Sequence, residues 1–285
     1  MILSFHPCFV TDRQIILGDR ALREDDRRLI RDADAILLPQ ACSSELFEAC
    51  RQSRAALFPN YTWRFDFPGK IGQSELFRRF EWPHPNTAVW RTVDHFRKAC
   101  PGPEDFPHDR PFLIKTNHGH EAEGIFVIHD LQDLESSCAS LSALEHTGYH
   151  GFVSQEMIAS RGNVLRVVIL GRRFIPYWKR PNRPDRMITT ISRGAIIDGH
   201  WRPDLQGKGI SAARRLSADT GITLAAIDFI FPLDRPDPGP LVLEVNYYFG
   251  RRGLGGSLKY YRSLYRVIQE WLAEQGQDSR KVTLA

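Results

Sequence analysis

The sequence predicts an α/β protein made of lobes, and three observations carry that prediction. The chain opens with short apolar runs that alternate with amphipathic stretches, the order of a parallel α/β unit. Beyond residue 112 the strands grow longer and crowd together, as in antiparallel sheets. At 285 residues the chain is also about twice an ordinary domain length.

Residues 2–5 and 35–38 read as strands, the second stopped by Pro39. The charge-rich stretch 19–32, with Leu22, Leu29 and Ile30 as its apolar positions, reads as a solvated helix. A helix over 44–52 and a strand over 55–58 complete the first unit. A Pro-, Trp- and Phe-rich connection, 59–90, holds the first boundary. Inside it, 70–80 reads as a helix with Ile71, Leu76, Phe77 and Phe80 on one face, ended by Pro83 and Pro85. A helix over 92–100 leads to strands at 112–114, 124–129, 151–156, 165–170 and 173–177. Strands 225–231 and 241–245 flank a Pro-rich turn, which makes them antiparallel neighbours. The final helix, 257–274, spaces Leu258, Tyr261, Leu264, Tyr265, Ile268, Trp271 and Leu272 for packing, either within the chain or against a second subunit.

Composition excludes several classes. Hydrophobic residues are 42% and charged ones 25%, which is globular composition and not that of a disordered or fibrous chain. The net charge of +4, from 38 basic and 34 acidic residues, is too small to argue for a nucleic acid or a membrane surface as partner. Five cysteines, an odd number with no CxxC, argue against a disulfide framework or zinc site and place the protein in a reducing cytoplasm. No run approaches eighteen apolar residues, so no membrane span is expected.

The chemistry gathers in two late strands. Asp228 sits inside an apolar run, and Glu244 is followed two residues later by Asn246. Period two puts Glu244 and Asn246 on one face, Leu243 and Val245 opposite, and Asp228 joins that face if the strands pair. Buried carboxylates cost several kcal/mol or more unless a cation or hydrogen bonds compensate. For any one acid, pairing with an arginine is the plainer reading, but three hard oxygens converging in two apolar strands favour magnesium. Upstream, Lys115 ends a strand before a loop containing Gly119 and Gly124, where a point charge and backbone amides could meet a phosphate. Neither GxxxxGK[ST] nor GxGxxG occurs there. Arg166, Lys179 and Arg180 sit at strand ends and would line a cleft opposite the acids.

The order of these pieces resembles the ATP-grasp superfamily, most closely its RimK-like glutamate ligases and glutathione synthetases. Lys70 is similar to the family's first nucleotide lysine, with Gly69 in place of an aspartate, and Lys115 to its second. Gly119 and Gly124 are in register with the phosphate-covering loop. Gln155, Glu156, Met157 and Ile158 resemble the hinge that holds adenine and ribose. Arg166 resembles the arginine that touches the transferred phosphate, although Val164 stands where the family often has an aspartate. Asp228, Glu244 and Asn246 match the magnesium ligands in order and spacing.

The resemblance implies a Rossmann-like pre-ATP-grasp domain at 1–68 and an ATP-grasp domain at 69–285, with a small lobe at about 86–154 and a large lobe at about 155–285. It implies ATP and one or two Mg²⁺ ions, or Mn²⁺, as cofactors. The activity it implies is a carboxylate–amine ligase acting through an acyl phosphate, with Arg166 stabilising the phosphoryl group and the loop 116–123 closing over the site. Glu121 and Glu123 are expected to point outward or to meet the amine. Lys179, Arg180, Arg193, Arg251 and Arg252 would face an acidic small-molecule or peptide substrate. A kinase on the same scaffold and a non-catalytic Mg-ATP-binding regulator are the rival functions.

Overall fold

In the computed structural model, which describes residues 1–119, 124–183 and 194–285, the chain forms three sheets of three or more strands and one small ribbon. The first segment contains β1 (Ile2–Ser4), β2 (Phe9–Val10), β3 (Arg13–Gln14), α1 (Glu24–Asp32), β4 (Ala35–Leu37), α2 (Ser44–Arg51) and β5 (Ala56–Phe58). Its sheet runs β3-β1-β4-β5 with every pair parallel, as the alternation predicts. Leu3 and Ile36 pack into one core while Ile2, Ala35 and Leu37 pack into another. Both faces are therefore covered, which is why these strands read as continuous apolar runs.

Two helices follow, α3 (Thr62–Asp66) and α4 (Gly69–Arg79). A four-stranded antiparallel sheet of order β6-β9-β7-β8 comes next, from β6 (Thr87–Trp90), β7 (Phe112–Thr116), β8 (Ile125–Ile128) and β9 (Phe152–Glu156). Helices α5 (Val93–Ala99) and α6 (Leu131–His146) pack on it through Val93, Phe96, Leu134, Cys138 and Leu141. The third sheet has five antiparallel strands in the order β12-β11-β10-β13-β14. They are β10 (Val164–Leu170), β11 (Arg173–Arg180), β12 (Ile196–Asp198), β13 (Leu224–Ile230) and β14 (Leu241–Asn246), with α7 (Pro203–Thr220) between β12 and β13. The chain ends with α8 (Ser257–Glu274) and β15 (Thr283–Leu284), which pairs with β2.

Alternate residues of β10 and β13 divide between two cores. Leu165, Val167, Ile169, Ile227 and Phe229 join α7, whereas Val168, Leu170, Leu224 and Ala226 join α8. Helix α8 also reaches Ile2, Ala35 and Leu37, so it wedges between the first and third sheets.

Several expectations need correction. Strand β6 and helices α6 and α7 were not foreseen. The buried positions of α7 include Gln206, Gly209, Ala213 and Thr220, which carry little hydrophobic signal. Gly209 is small because a Cβ there would lie 2.3 Å from Leu165 Cδ2. On α8 the buried face is Tyr260, Leu264, Val267, Ile268 and Leu272, while Leu258 is exposed. Helix α1 starts at Glu24 and not at 19, because Asp26 accepts from the Arg23 backbone N–H and closes the helix start.

Candidate active site

Strands β13 and β14 pair with Asp228 opposite Glu244 and Ala226 opposite Asn246, so the three polar side chains share a face. The register slips after Asp228, where Phe229 pairs with Val242 and leaves Leu243 as an extra residue. That bulge breaks the expected alternation: Val245 is buried in the core, but Leu243 is half-buried and belongs to neither core.

Across that face β10 and β11 bring two cations. Arg166 pairs with Asp228 in the β10–β13 ladder, and Lys179 lies opposite Val164 on β11. The Arg166 guanidinium donates from Nε to Asp228 Oδ1 at 2.7 Å and from Nη2 to Oδ2 at 2.8 Å. Lys179 Nζ donates to Oδ2 at 2.8 Å, and Asn246 Nδ2 reaches the same oxygen at 3.3 Å. Burial by itself would raise the Asp228 carboxyl, but the Arg166 and Lys179 charges outweigh it and hold the group down to about 2. Asp228 thus takes up the plainer role, a carboxylate paired with an arginine, and Arg166 is committed to it.

Lys115 is buried near the end of β7. Its Nζ donates to Gln155 Oε1 at 2.5 Å, while Gln155 Nε2 donates to Thr87 Oγ1 at 2.8 Å. Gln155 is therefore a buried support for Lys115. Burial pushes the Lys115 ammonium down to about 8, partly offset by the pull of Glu244.

Lys70 enters from α4. The first turn of that helix is closed by a distant residue: Asn117 accepts from the Lys70 N–H through its carbonyl and from the Ile71 N–H through Oδ1, both at 3.0 Å. Gly69 has φ +70°, and a Cβ there would stand 2.3 Å from Asn117 Oδ1. The glycine that replaces the family's aspartate makes room for this cap. Lys70 Nζ lies 3.5 Å from the Gly119 carbonyl oxygen, and burial lowers the ammonium against the pull of Glu244.

Glu244 feels no cation at salt-bridge distance among the described residues, yet its charge acts on Lys70, Lys115 and Lys179. The half-buried Glu244 carboxylate and the Asn246 Oδ1 are the hard oxygens left that would be offered to a divalent cation. Asp228 offers no oxygen that is free of a donor, and no group of three His, Cys, Asp or Glu side chains could hold a metal among the described residues.

The remaining candidates disperse. Gly124, at φ +67°, closes the loop base against Thr116, whose N–H bonds the Gly124 carbonyl at 2.9 Å. Glu156 accepts from the Asn86 N–H at 2.7 Å, and Glu156 and Ile158 border cavities of about 910 and 560 Å³, with Met157 on the smaller. Arg180 pairs with Asp198 at 2.8 Å and stacks 4.5 Å over Trp201, away from Asp228. Arg251 packs against the Tyr260 and Tyr261 rings, and burial, helped by the Arg251 charge, lowers His6 to about 4. Arg252 is exposed. Glu121, Glu123 and Arg193 lie outside the described residues.

Gln73, Thr87 and Asn117 were missed. Each is an ordinary polar residue in sequence, and only Asn117 gave a signal, by standing beside the glycine-bearing loop.

No protein-family model matches the chain. A probable alpha-L-glutamate ligase of Xanthomonas campestris pv. campestris is 26% identical over 209 residues, which are 64% of this chain and 68% of that one. Relatives of the same description in Legionella pneumophila are spanned over 57% of their length. Among solved structures, a RimK domain ATP-grasp protein from Sphaerobacter thermophilus superposes with a TM-score of 0.58 and 14% identity, covering 92% of this chain and 97% of that one.

The chain has the ATP-grasp fold.

A D-alanine–D-alanine ligase from Bacillus anthracis shares the fold at a TM-score of 0.60 and 14% identity, over 93% of this chain and 86% of its own. In this chain Lys115 stands on the second sheet, Glu244 on the third and Lys70 on α4, and the Glu244 charge acts on both lysines. No helix among the described residues is long and apolar enough to cross a membrane.

Proposed function

We propose that this ATP-grasp chain is an ATP-dependent carboxylate–amine ligase that works through an acyl phosphate and releases ADP. One observation carries the reading. Lys70, Lys115 and Glu244 come from α4, β7 and β14, yet the Glu244 charge reaches both lysines, beside the Asp228 cluster. Relatives named as glutamate and alanine ligases support the same reaction class, and an amino acid or peptide is the substrate this reading favours.

In this reading Lys70 and Lys115 neutralise ATP phosphates, and the backbone of residues 156–158 borders the adenine. Glu244 and Asn246 would hold a magnesium or manganese ion, which screens phosphate charge when bound. The γ-phosphoryl group passes to a substrate carboxylate oxygen and ADP leaves. The amine nitrogen then attacks the acyl carbon, loses its proton, and phosphate departs. Positioning and charge neutralisation do most of this work. Arg166 contributes at one remove, by fixing Asp228 beside Asn246.

The test is an ADP-release screen of acid and amine pairs, with hydroxylamine present to trap an acyl phosphate. Formation of a hydroxamate supports the ligase, and Glu244→Gln should remain folded while ADP formation is lost. ADP release with an alcohol and never with a carboxylate would replace the ligase with a kinase. Thermal stabilisation by Mg-ATP without any turnover would leave a regulator.

A further inference from the structure

The Asp228 carboxylate is held by two cations at once: Oδ2 accepts from Arg166, Lys179 and Asn246, and Oδ1 from Arg166. Both cations are deeply buried, with side chains 11% and 9% exposed, and Asp228 itself is 3% exposed. The β-ladder fixes where each of them starts, so neither can swing to solvent without leaving a buried charge behind. A metal ion on Asp228 would sit against two buried cations already paired with that carboxylate. Among the described residues the other carboxylate whose charge acts on Lys179 is Glu244, and a metal on Glu244 repels an ammonium seeking a new partner.

We infer that Lys179 is the resident cation of Asp228, and that the chain takes a single divalent ion per nucleotide, on Glu244 and the Asn246 oxygen. The inference rests on the ATP-using reading above and adds its metal stoichiometry. Lys179 is then a positioning residue: it holds the Asp228 end of the cluster without exchange, while the ion at Glu244 arrives with the nucleotide.

The experiment counts Mn²⁺ bound to the full chain in the presence of AMP-PNP, by calorimetric titration and by the loss of the free-Mn²⁺ resonance signal. One Mn²⁺ per bound AMP-PNP is expected for the wild type, and at least tenfold weaker Mn²⁺ binding for Glu244→Gln. Lys179→Met should admit a second Mn²⁺ at Asp228. Two ions in the wild type overturn the inference while leaving the nucleotide reading intact, and so does a Lys179→Met protein that binds AMP-PNP with one ion. The wild-type count stands without the variant should that protein not fold. Failure of AMP-PNP to bind at all, with or without Mn²⁺, removes the ATP reading itself and the stoichiometry with it.

Discussion

The side chain of Gln73 pairs with the backbone of Val245 as a neighbouring strand would. Its Nε2 donates to the Val245 carbonyl at 3.0 Å and its Oε1 accepts from the Val245 N–H at 2.8 Å. Strand β14 lies at the edge of the third sheet, so those backbone groups have no strand partner there. The same edge is covered lower down by Pro83, whose carbonyl accepts from the Val242 N–H at 2.7 Å. Gln73 stands one helical turn from Lys70 and Val245 lies between Glu244 and Asn246, so this one amide sets the lysine against the acid.

Replacing Gln73 should therefore affect both fold and site. Gln73→Ala is expected to cost about 1–2 kcal/mol in urea unfolding, because two backbone groups exchange a protein partner for water. Mg-ATP binding should weaken severalfold as Lys70 loses its register. Gln73→Glu should cost more, since an acceptor then faces the Val245 carbonyl. Unchanged nucleotide affinity in both variants would show that Lys70 is placed by something else.

Gly69 tolerates no side chain. An alanine would have to hold a left-handed backbone and push into Asn117, which caps the helix. Gly69→Ala is expected to lose about 1–3 kcal/mol of stability. Asn117→Ala should lose less, about 1 kcal/mol, as a missing cap does. Equilibrium unfolding of the two variants checks the order, and Gly69→Ala at wild-type stability would refute the steric argument.

Acid should act on the Asp228 cluster late. Its carboxyl lies at about 2 in the folded protein against 3.8 as the ordinary value. A lowered carboxyl contributes stability that is complete above the unfolded value and is lost as pH falls through the folded one. The window is about pH 4 to 2, and the contribution is about 2 kcal/mol. Asp228→Asn should flatten that limb of the stability profile and cost about 3–5 kcal/mol at neutral pH, with two buried cations left uncompensated.

Lys115 gives the site a basic limit. Because burial penalises its charged form, the folded protein gives up this proton from about pH 8, while an unfolded chain keeps it to 10.5. Raising the pH through that window relieves the penalty and adds stability, yet it removes the charge that a phosphate needs. Mg-ATP affinity should be level up to about pH 8 and then fall by at most about tenfold per pH unit. Lys115→Met should bind weakly at pH 7 and lose that decline. Isothermal titrations at several pH values measure both, and a wild-type curve level to pH 10 would remove Lys115 from the phosphate site.

Much of this architecture was legible because it is written in local pattern. The parallel first sheet followed from its alternation, and the β13–β14 hairpin from two apolar runs around a proline-rich turn. The shared face of Glu244 and Asn246 followed from strand periodicity, Asp228 joined it on the condition that β13 and β14 pair, and the lysine before the loop followed from its position at a strand end. Helix α7 was hidden because, between Leu205 and Leu216, its buried face uses Gln206, Gly209 and Ala213, which weaken the hydrophobic period, and Gly209 fits a close approach to β10.

What the sequence by itself determined was which chemical groups the protein has and which strands and helices carry them, since those follow from residue type and spacing. The tertiary structure alone decided the partners. It gave Asp228 to Arg166 and Lys179, Lys115 to Gln155, and the start of α4 to Asn117, 46 residues or more away in each case but Lys115 and Gln155, which are 40 apart. A charge or an amide has no preferred partner along the chain. Which one it meets depends on strand register and sheet edges, and those are fixed only when distant segments pack.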